Sequence, residues 1–149
     1  MILYEKKGLI GEMFSIESGS FSLELKPKVF EEDLKCPTNT ILTVRLTSDG
    51  YSADSSMDVG ARDVAVFAEG LKEVYDKLEG NVRLEEPYGE HNFIEFFAKT
   101  GGHIVVKGKL SSMGRNGHTQ ELSYESEIDQ TDLKDFVRDL FADFSKYKL

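Results

Sequence analysis

The 149-residue chain is poor in the residues that most often carry chemistry. It has one cysteine, Cys36, and three histidines, His91, His103 and His118. A lone cysteine excludes an internal disulfide and any cysteine-based metal centre, and it suits a reducing compartment. No apolar run approaches the ~20 residues of a membrane helix. The opening Met1-Ile2-Leu3-Tyr4-Glu5-Lys6-Lys7 places its charges after a short apolar stretch, the reverse of a signal peptide. The expectation is a complete, cytoplasmic chain. Positive charge is scarce too: 18 Lys and Arg stand against 27 Asp and Glu, a net charge of −9. That disfavours nucleic acid or an anionic membrane as direct partner. Basic proteins and neutral small molecules remain.

What is present reads as one globular domain spanning residues 1–149. Hydrophobic residues make up 40% and charged residues 30% of the chain, a balance that excludes wholesale disorder. A chain of this length buries roughly 68–70% of its unfolded surface and needs no staple. Phe14 and Ile16, then Phe21, Leu23 and Leu25, alternate with polar residues around Ser18-Gly19-Ser20, which predicts two strands and a turn. The acidic stretch Glu31–Asn39, with its Pro37, predicts a loop. Asp49-Gly50 fits a type I′ turn. A two-residue loop there pairs Leu42 with Met57, Val44 with Ser55, Leu46 with Ala53 and Ser48 with Tyr51. Arg45 then faces Asp54 and Thr43 faces Ser56 on the opposite surface. A slip of one residue would set Leu42, Val44 and Leu46 against Asp and Ser.

Val64, Phe67, Ala68, Leu71, Tyr75 and Leu78 form one helical stripe, predicting a helix over about 62–79 that ends at Gly80-Asn81. Its internal Gly70 costs about 1 kcal/mol against Ala, offset if a strand packs closely there. Strands follow at Val82–Tyr88, Phe93–Thr100, His103–Leu110 and Thr119–Ile128, with a tight turn at Gly101-Gly102. Apolar residues on both faces of the Phe93–Leu110 hairpin place it centrally. Residues 111–118 read as a loop by composition. Thr131 serves as N-cap of a helix over about 132–146, with Leu133, Phe136, Val137, Leu140, Phe141 and Phe144 as its buried stripe. The order of elements predicts an α+β fold: a largely antiparallel sheet with two amphipathic helices packed on it.

Catalytic and metal-binding patterns are absent. The histidines show neither an i, i+4 pair nor HExxH spacing, and all three sit at turns or strand ends, where solvation is the default. A zinc site would require them to converge with carboxylates such as Glu90 or Glu121. No basic or His-rich stretch beside Cys36 activates its thiol, and neither a GxSxG elbow nor a phosphate-binding glycine loop occurs. Lys107, Lys109 and Arg115 are the densest positive group, too few to hold a phosphate backbone against −9. Carboxylates of the same chain are their expected partners. These patterns predict no enzyme, no metal and no cofactor.

The remaining feature is acid. Residues 1–100 carry 11 Lys and Arg against 19 Asp and Glu, and residues 101–149 carry seven against eight. Asp54 and Asp58 leave the Asp49-Gly50 hairpin by its polar face, with Ser52 and Ser56. Glu121, Glu125 and Glu127 do the same on the last strand, with Ser123. If those strands share a sheet, the five acids form one acidic, hydroxyl-rich face. Such a surface either keeps the protein soluble or docks a basic partner by electrostatic steering.

Several segments carry a family likeness. Leu42-Thr43-Val44-Arg45-Leu46-Thr47-Ser48-Asp49-Gly50-Tyr51-Ser52 resembles the central hairpin of the WapI-like immunity proteins of bacterial toxin systems. The helix Val64-Ala65-Val66-Phe67-Ala68-Glu69-Gly70-Leu71 is similar as well, as are Gly102-His103-Ile104-Val105-Val106-Lys107-Gly108 and Asp129-Gln130-Thr131-Asp132-Leu133-Lys134-Asp135-Phe136. The likeness spans about residues 40–141 in the family's order. It implies a non-enzymatic cytoplasmic antitoxin that binds a cognate toxin domain, often a basic RNase, and it brings no catalytic residues with it. Two other classes fit the composition. A small-molecule site would use the aromatic strands around Phe93, Phe96 and Phe97, and a metal-dependent enzyme would bring His91 or His103 to carboxylates.

Overall fold

Two meanders, each built from sequence neighbours, enclose one core. The computed structural model describes residues 12–114 and 116–148; the opening Met1–Lys7 pattern and Arg115 lie outside them. Strands β1 (Phe14–Ser18), β2 (Phe21–Val29), β3 (Thr40–Ser48) and β4 (Tyr51–Val59) pair antiparallel in that order. Strands β5 (Asn81–Glu85), β6 (Phe93–Lys99), β7 (His103–Met113) and β8 (Thr119–Asp129) make a second antiparallel sheet, also in chain order. Helices α1 (Ala61–Lys77) and α2 (Gln130–Phe144) each follow a sheet in the chain. The fold is α+β with both helices packed on the sheets, but the eight strands form two sheets and not one.

The β3–β4 hairpin has the expected register, from Ser48↔Tyr51 through Arg45↔Asp54 to Leu42↔Met57. Asp49 and Gly50 both take positive φ, 51° and 90°, as a type I′ turn requires. The β6–β7 hairpin occupies the middle of its sheet. Other boundaries move. The strand expected at Val82–Tyr88 stops at Glu85, because Pro87 and the positive φ of Gly89 and His91 turn the chain. The loop expected at 111–118 shortens, since β7 continues through Met113. The loop at 31–39 carries a short 3₁₀ turn, Glu31–Asp33.

Both helix ends differ from the pattern in the sequence. The first helix stops at Lys77, where Leu78 takes the left-handed conformation (φ 55°) and donates its N–H to the Val74 carbonyl at 2.8 Å. The terminating residue is therefore Leu78, ahead of Gly80. At the second helix the N-cap is Asp129, not Thr131: its carboxylate accepts from the Thr131 N–H (2.9 Å) and hydroxyl (2.8 Å). An aspartate two residues upstream competes well for this position because its charge also faces the helix dipole. The Thr131 backbone bond, then its hydroxyl, hold the Asp129 carboxyl below the ordinary aspartate range, with a further pull from His103. The helix ends at Phe144 and a 3₁₀ turn covers Ser145–Tyr147.

Alternation decides which face of each sheet is buried. Leu23, Leu42, Val44, Leu46 and Met57 of the first sheet, and Ile94, Phe96, Ile104 and Val106 of the second, are fully buried in one cluster. The α1 stripe (Val64, Phe67, Ala68, Leu71) and the α2 stripe (Leu133, Phe136, Val137, Leu140, Phe144) join the same cluster. Phe96 is its junction: its ring lies 6.0 Å from Phe67 and 6.3 Å from Phe136. Two glycines set the spacing. A β-carbon at Gly70 would stand 2.6 Å from Val82 Cγ2, so α1 lies directly on β5. A β-carbon at Gly108 would meet the Phe93 carbonyl at 2.2 Å and the Tyr124 hydroxyl at 2.5 Å. Tyr124 thus lies over its cross-strand partner Gly108.

Ala at Gly70 gains helix propensity yet strikes a branched side chain. We expect Gly70→Ala to destabilise by about 1–3 kcal/mol, and Val82→Ala in the same chain to recover part of the loss; urea denaturation of both singles and the double measures that coupling. The Asp129 cap contributes stability that is full above about pH 4 and fades as pH falls through the depressed carboxyl value. Asp129→Ala should therefore melt below wild type at neutral pH, with the gap closing in acid, while Asp129→Asn keeps most of the cap.

Candidate protein-binding surface

The five acids read from the sequence fall on two sheets. Asp54 and Asp58 lie on β4, the terminal strand of the first sheet; Glu121, Glu125 and Glu127 lie on β8, the terminal strand of the second. The single shared face therefore does not form. All five are exposed, but their surroundings differ. Asp54 meets Arg45 at 3.0 Å, the cross-strand partner the register predicts. Glu127 accepts from Lys99 at 3.0 Å and meets His103 Nδ1 at 3.0 Å. The Lys99 hydrogen bond and charge, with His103, hold the Glu127 carboxyl below the usual range. Water and salt screen exposed pairs like these, so they add little to stability. Among the described residues Asp58, Glu121 and Glu125 make no ion pair. Lys107 faces Glu125 in the register, yet its ammonium sits 5.5 Å from the Phe97 ring centre.

Asp58 borders a polar junction between the sheets that the sequence did not reveal. Glu86, just past β5, is 7% exposed. One carboxylate oxygen accepts the Asp58 N–H at 2.8 Å and the other accepts the Asn92 N–H at 2.9 Å. The Asn92 carboxamide in turn accepts the Ser111 N–H (2.8 Å) and donates to the Ser111 carbonyl (3.1 Å). It stands in for the strand residue that β6 lacks opposite the end of β7. These side chains satisfy backbone groups that would otherwise be orphaned at two sheet edges. Around them opens a cleft of about 350 Å³, lined by Ser55, Ser56, Asp58, Glu86, Glu90 and the exposed Tyr88, among others. The local sign of it in the sequence is the Pro87 and Gly89 turn after Glu86, masked by the strand-like pattern of residues 82–88.

The other candidates disperse. His91 lies beside the Glu86 carbonyl (3.2 Å) and Glu85 (3.8 Å), His103 beside Glu127, and His118 is exposed near the β7–β8 turn. No group of three or more His, Cys, Asp and Glu side chains among the described residues is arranged to hold a metal ion. Cys36 is exposed, with its sulfur 3.8 Å from the Thr38 hydroxyl. The expected carboxylate partners of Lys107 and Lys109 are replaced by an aromatic ring and a carbonyl: Lys107 sits over Phe97, and Lys109 donates to the Glu90 carbonyl at 2.8 Å. Phe96 is spent in the core, while Phe93 lies under the Arg83 guanidinium, 3.7 Å from ring centre to its carbon. None of Phe93, Phe96 and Phe97 lines the cleft. No described helix is long and apolar enough to cross a membrane.

The site is thus an acid-bearing surface over a fixed scaffold. The model of the immunity protein WapI-like family matches residues 13–148. The chain belongs to this family. The matched span begins just before β1 and ends after α2, so WapI-like similarity takes in both sheets and both helices. No curated protein and no solved structure matches the chain.

Glu86 offers a direct test of the junction beneath this surface. Gln at 86 keeps one acceptor but turns an NH₂ toward one of the two backbone N–H donors. We expect Glu86→Gln to cost about 1–3 kcal/mol in urea denaturation and to raise amide exchange at Asp58 or Asn92.

Proposed function

We propose that the chain is a non-catalytic immunity protein that binds the toxic domain of a cognate bacterial toxin in the cytoplasm and blocks it. The observation that carries this reading is the family match across residues 13–148. The net charge of −9 supports a basic partner, and a nuclease is the toxin class that best meets that requirement, because an enzyme that grips phosphate presents a cationic surface. An acidic protein competes for that surface by charge and associates quickly through long-range attraction. Asp58, Glu121 and Glu125 supply acid without an internal counter-ion among the described residues, and Asp54 and Glu127 add to the field through partly neutralised pairs.

The direct test is co-expression with the C-terminal domain of each candidate toxin found encoded next to this chain. Growth should be rescued and a complex should copurify; failure of both with every neighbouring toxin would remove the proposal. Replacing Asp54, Asp58, Glu121, Glu125 and Glu127 together by their amides should slow association about tenfold or more at low salt and flatten its salt dependence. An unchanged on-rate in the folded variant would clear these acids of any steering role.

A further inference from the structure

The four terminal strands are not equally closed. β1 and β5 are five residues long. β4 has its Asp58 N–H held by Glu86. β8 runs for eleven residues, and among the described residues it hydrogen-bonds as a strand only to β7.

Which backbone groups of β8 face outward follows from two bonds at opposite ends of the sheet. The Asp129 N–H turns away from β7 and donates to the Ser18 hydroxyl at 3.0 Å. The Ser111 N–H turns toward β6, onto the Asn92 carboxamide. The β7–β8 register is unbroken from His103↔Asp129 to Met113↔Thr119. Antiparallel pairing alternates strictly along such a register. Even-numbered residues of β8 therefore bond β7, and the N–H and C=O groups of Glu121, Ser123, Glu125 and Glu127 point to the free side.

The side chains of the same four residues are exposed on the outer face, so each outward backbone pair carries an acid or a hydroxyl beside it. On the other face Leu122 and Ser126 are half-buried, and Leu122 packs at the margin of the core. A second copy of β8 would set Glu against Glu, which is unfavourable opposite another strand. A strand with cations at alternate positions and small apolar residues between them matches both faces.

We infer that the free edge of β8, from Glu121 to Glu127, is a strand-addition site for an extended basic segment of the protein partner. The edge supplies backbone affinity, and Glu121 and Glu125, which make no ion pair among the described residues, select for Lys or Arg at the positions facing them. Glu127, which already meets Lys99 and His103, makes a smaller contribution. That the partner is the toxin rests on the immunity reading; the edge itself does not.

A ten-residue peptide alternating lysine and valine serves as the probe. Bound to the wild-type chain, it should protect the amides of Glu121, Ser123, Glu125 and Glu127 from hydrogen exchange and weaken with salt, whereas a glutamate–valine control should not bind. Ser123→Pro removes one outward N–H at unchanged charge, in a position an edge strand tolerates. It should bind the peptide at least tenfold more weakly, while Ser123→Ala binds as wild type. The exchange measurement needs no variant, so it decides the matter even if Ser123→Pro fails to fold. No peptide binding, or binding that leaves these four amides unprotected, overturns the strand-addition site. A growth-rescuing toxin complex with the four amides still exchanging freely overturns the edge as the toxin's site and leaves immunity standing. Absence of any toxin complex removes the immunity reading instead, and the peptide result still decides the edge.

Discussion

Every element of this fold depends on burial of one shared apolar core. Each sheet turns one mostly apolar face inward, where a few hydroxyls such as those of Thr40 and Ser48 are buried among the hydrocarbon side chains. The two faces and the stripes of both helices close on one another, with Phe96 touching aromatic rings from α1 and α2. The consequence is tight tolerance. α1 can reach β5 only because position 70 has no side chain, and Tyr124 can lie flat only because position 108 has none. Close packing at these two crossings fixes where each helix and each sheet edge must lie.

Because the sheets share a core without sharing a ladder, the polar groups at their borders need other partners. Side chains supply them. Glu86 and Asn92 satisfy backbone groups of β4 and β7. Asn39 does the same for α1: its Oδ1 accepts the Ala61 N–H at 2.8 Å, while its amide reaches the Cys36 carbonyl at 2.9 Å. These buried contacts position the surface that carries the acids. Along β4 they hold the N–H at its Asp58 end.

The sequence disclosed whatever is governed by local periodicity. The β3–β4 register followed from one Asp-Gly turn and alternation, and both helical stripes from their spacing. It also showed the central place of the β6–β7 hairpin, since Phe97 and Val105 add apolar surface to its outer face. Features fixed by distant partners were hidden. Gly80-Asn81 marks the end of the first helix to within a few residues, and Gly80 does take a left-handed φ of 88°, but nothing singles out Leu78 as the cap itself. Likewise Asp129 displaces Thr131 through a competition that spacing alone does not rank. The division into two sheets was invisible because a meander looks the same locally whether or not its halves join. For the same reason the five acids were legible as outward-facing but not as belonging to separate edges. Glu86 reads locally as a strand residue, whereas its role depends on Asp58, 28 positions away.

The purely sequential strand order has a consequence for synthesis. As the chain leaves the ribosome, β1 to β4 can zip as neighbours, with a two-residue turn closing the last pair, and local pairing of this kind is fast. Yet the finished first sheet still lacks the strands and α2 that cover its apolar face. Until about the last seventy residues emerge, that face has only α1 to shield it, a window of several seconds at ordinary elongation rates. The strongly acidic first hundred residues, with 19 Asp and Glu against 11 Lys and Arg, give half-made chains mutual repulsion while they wait.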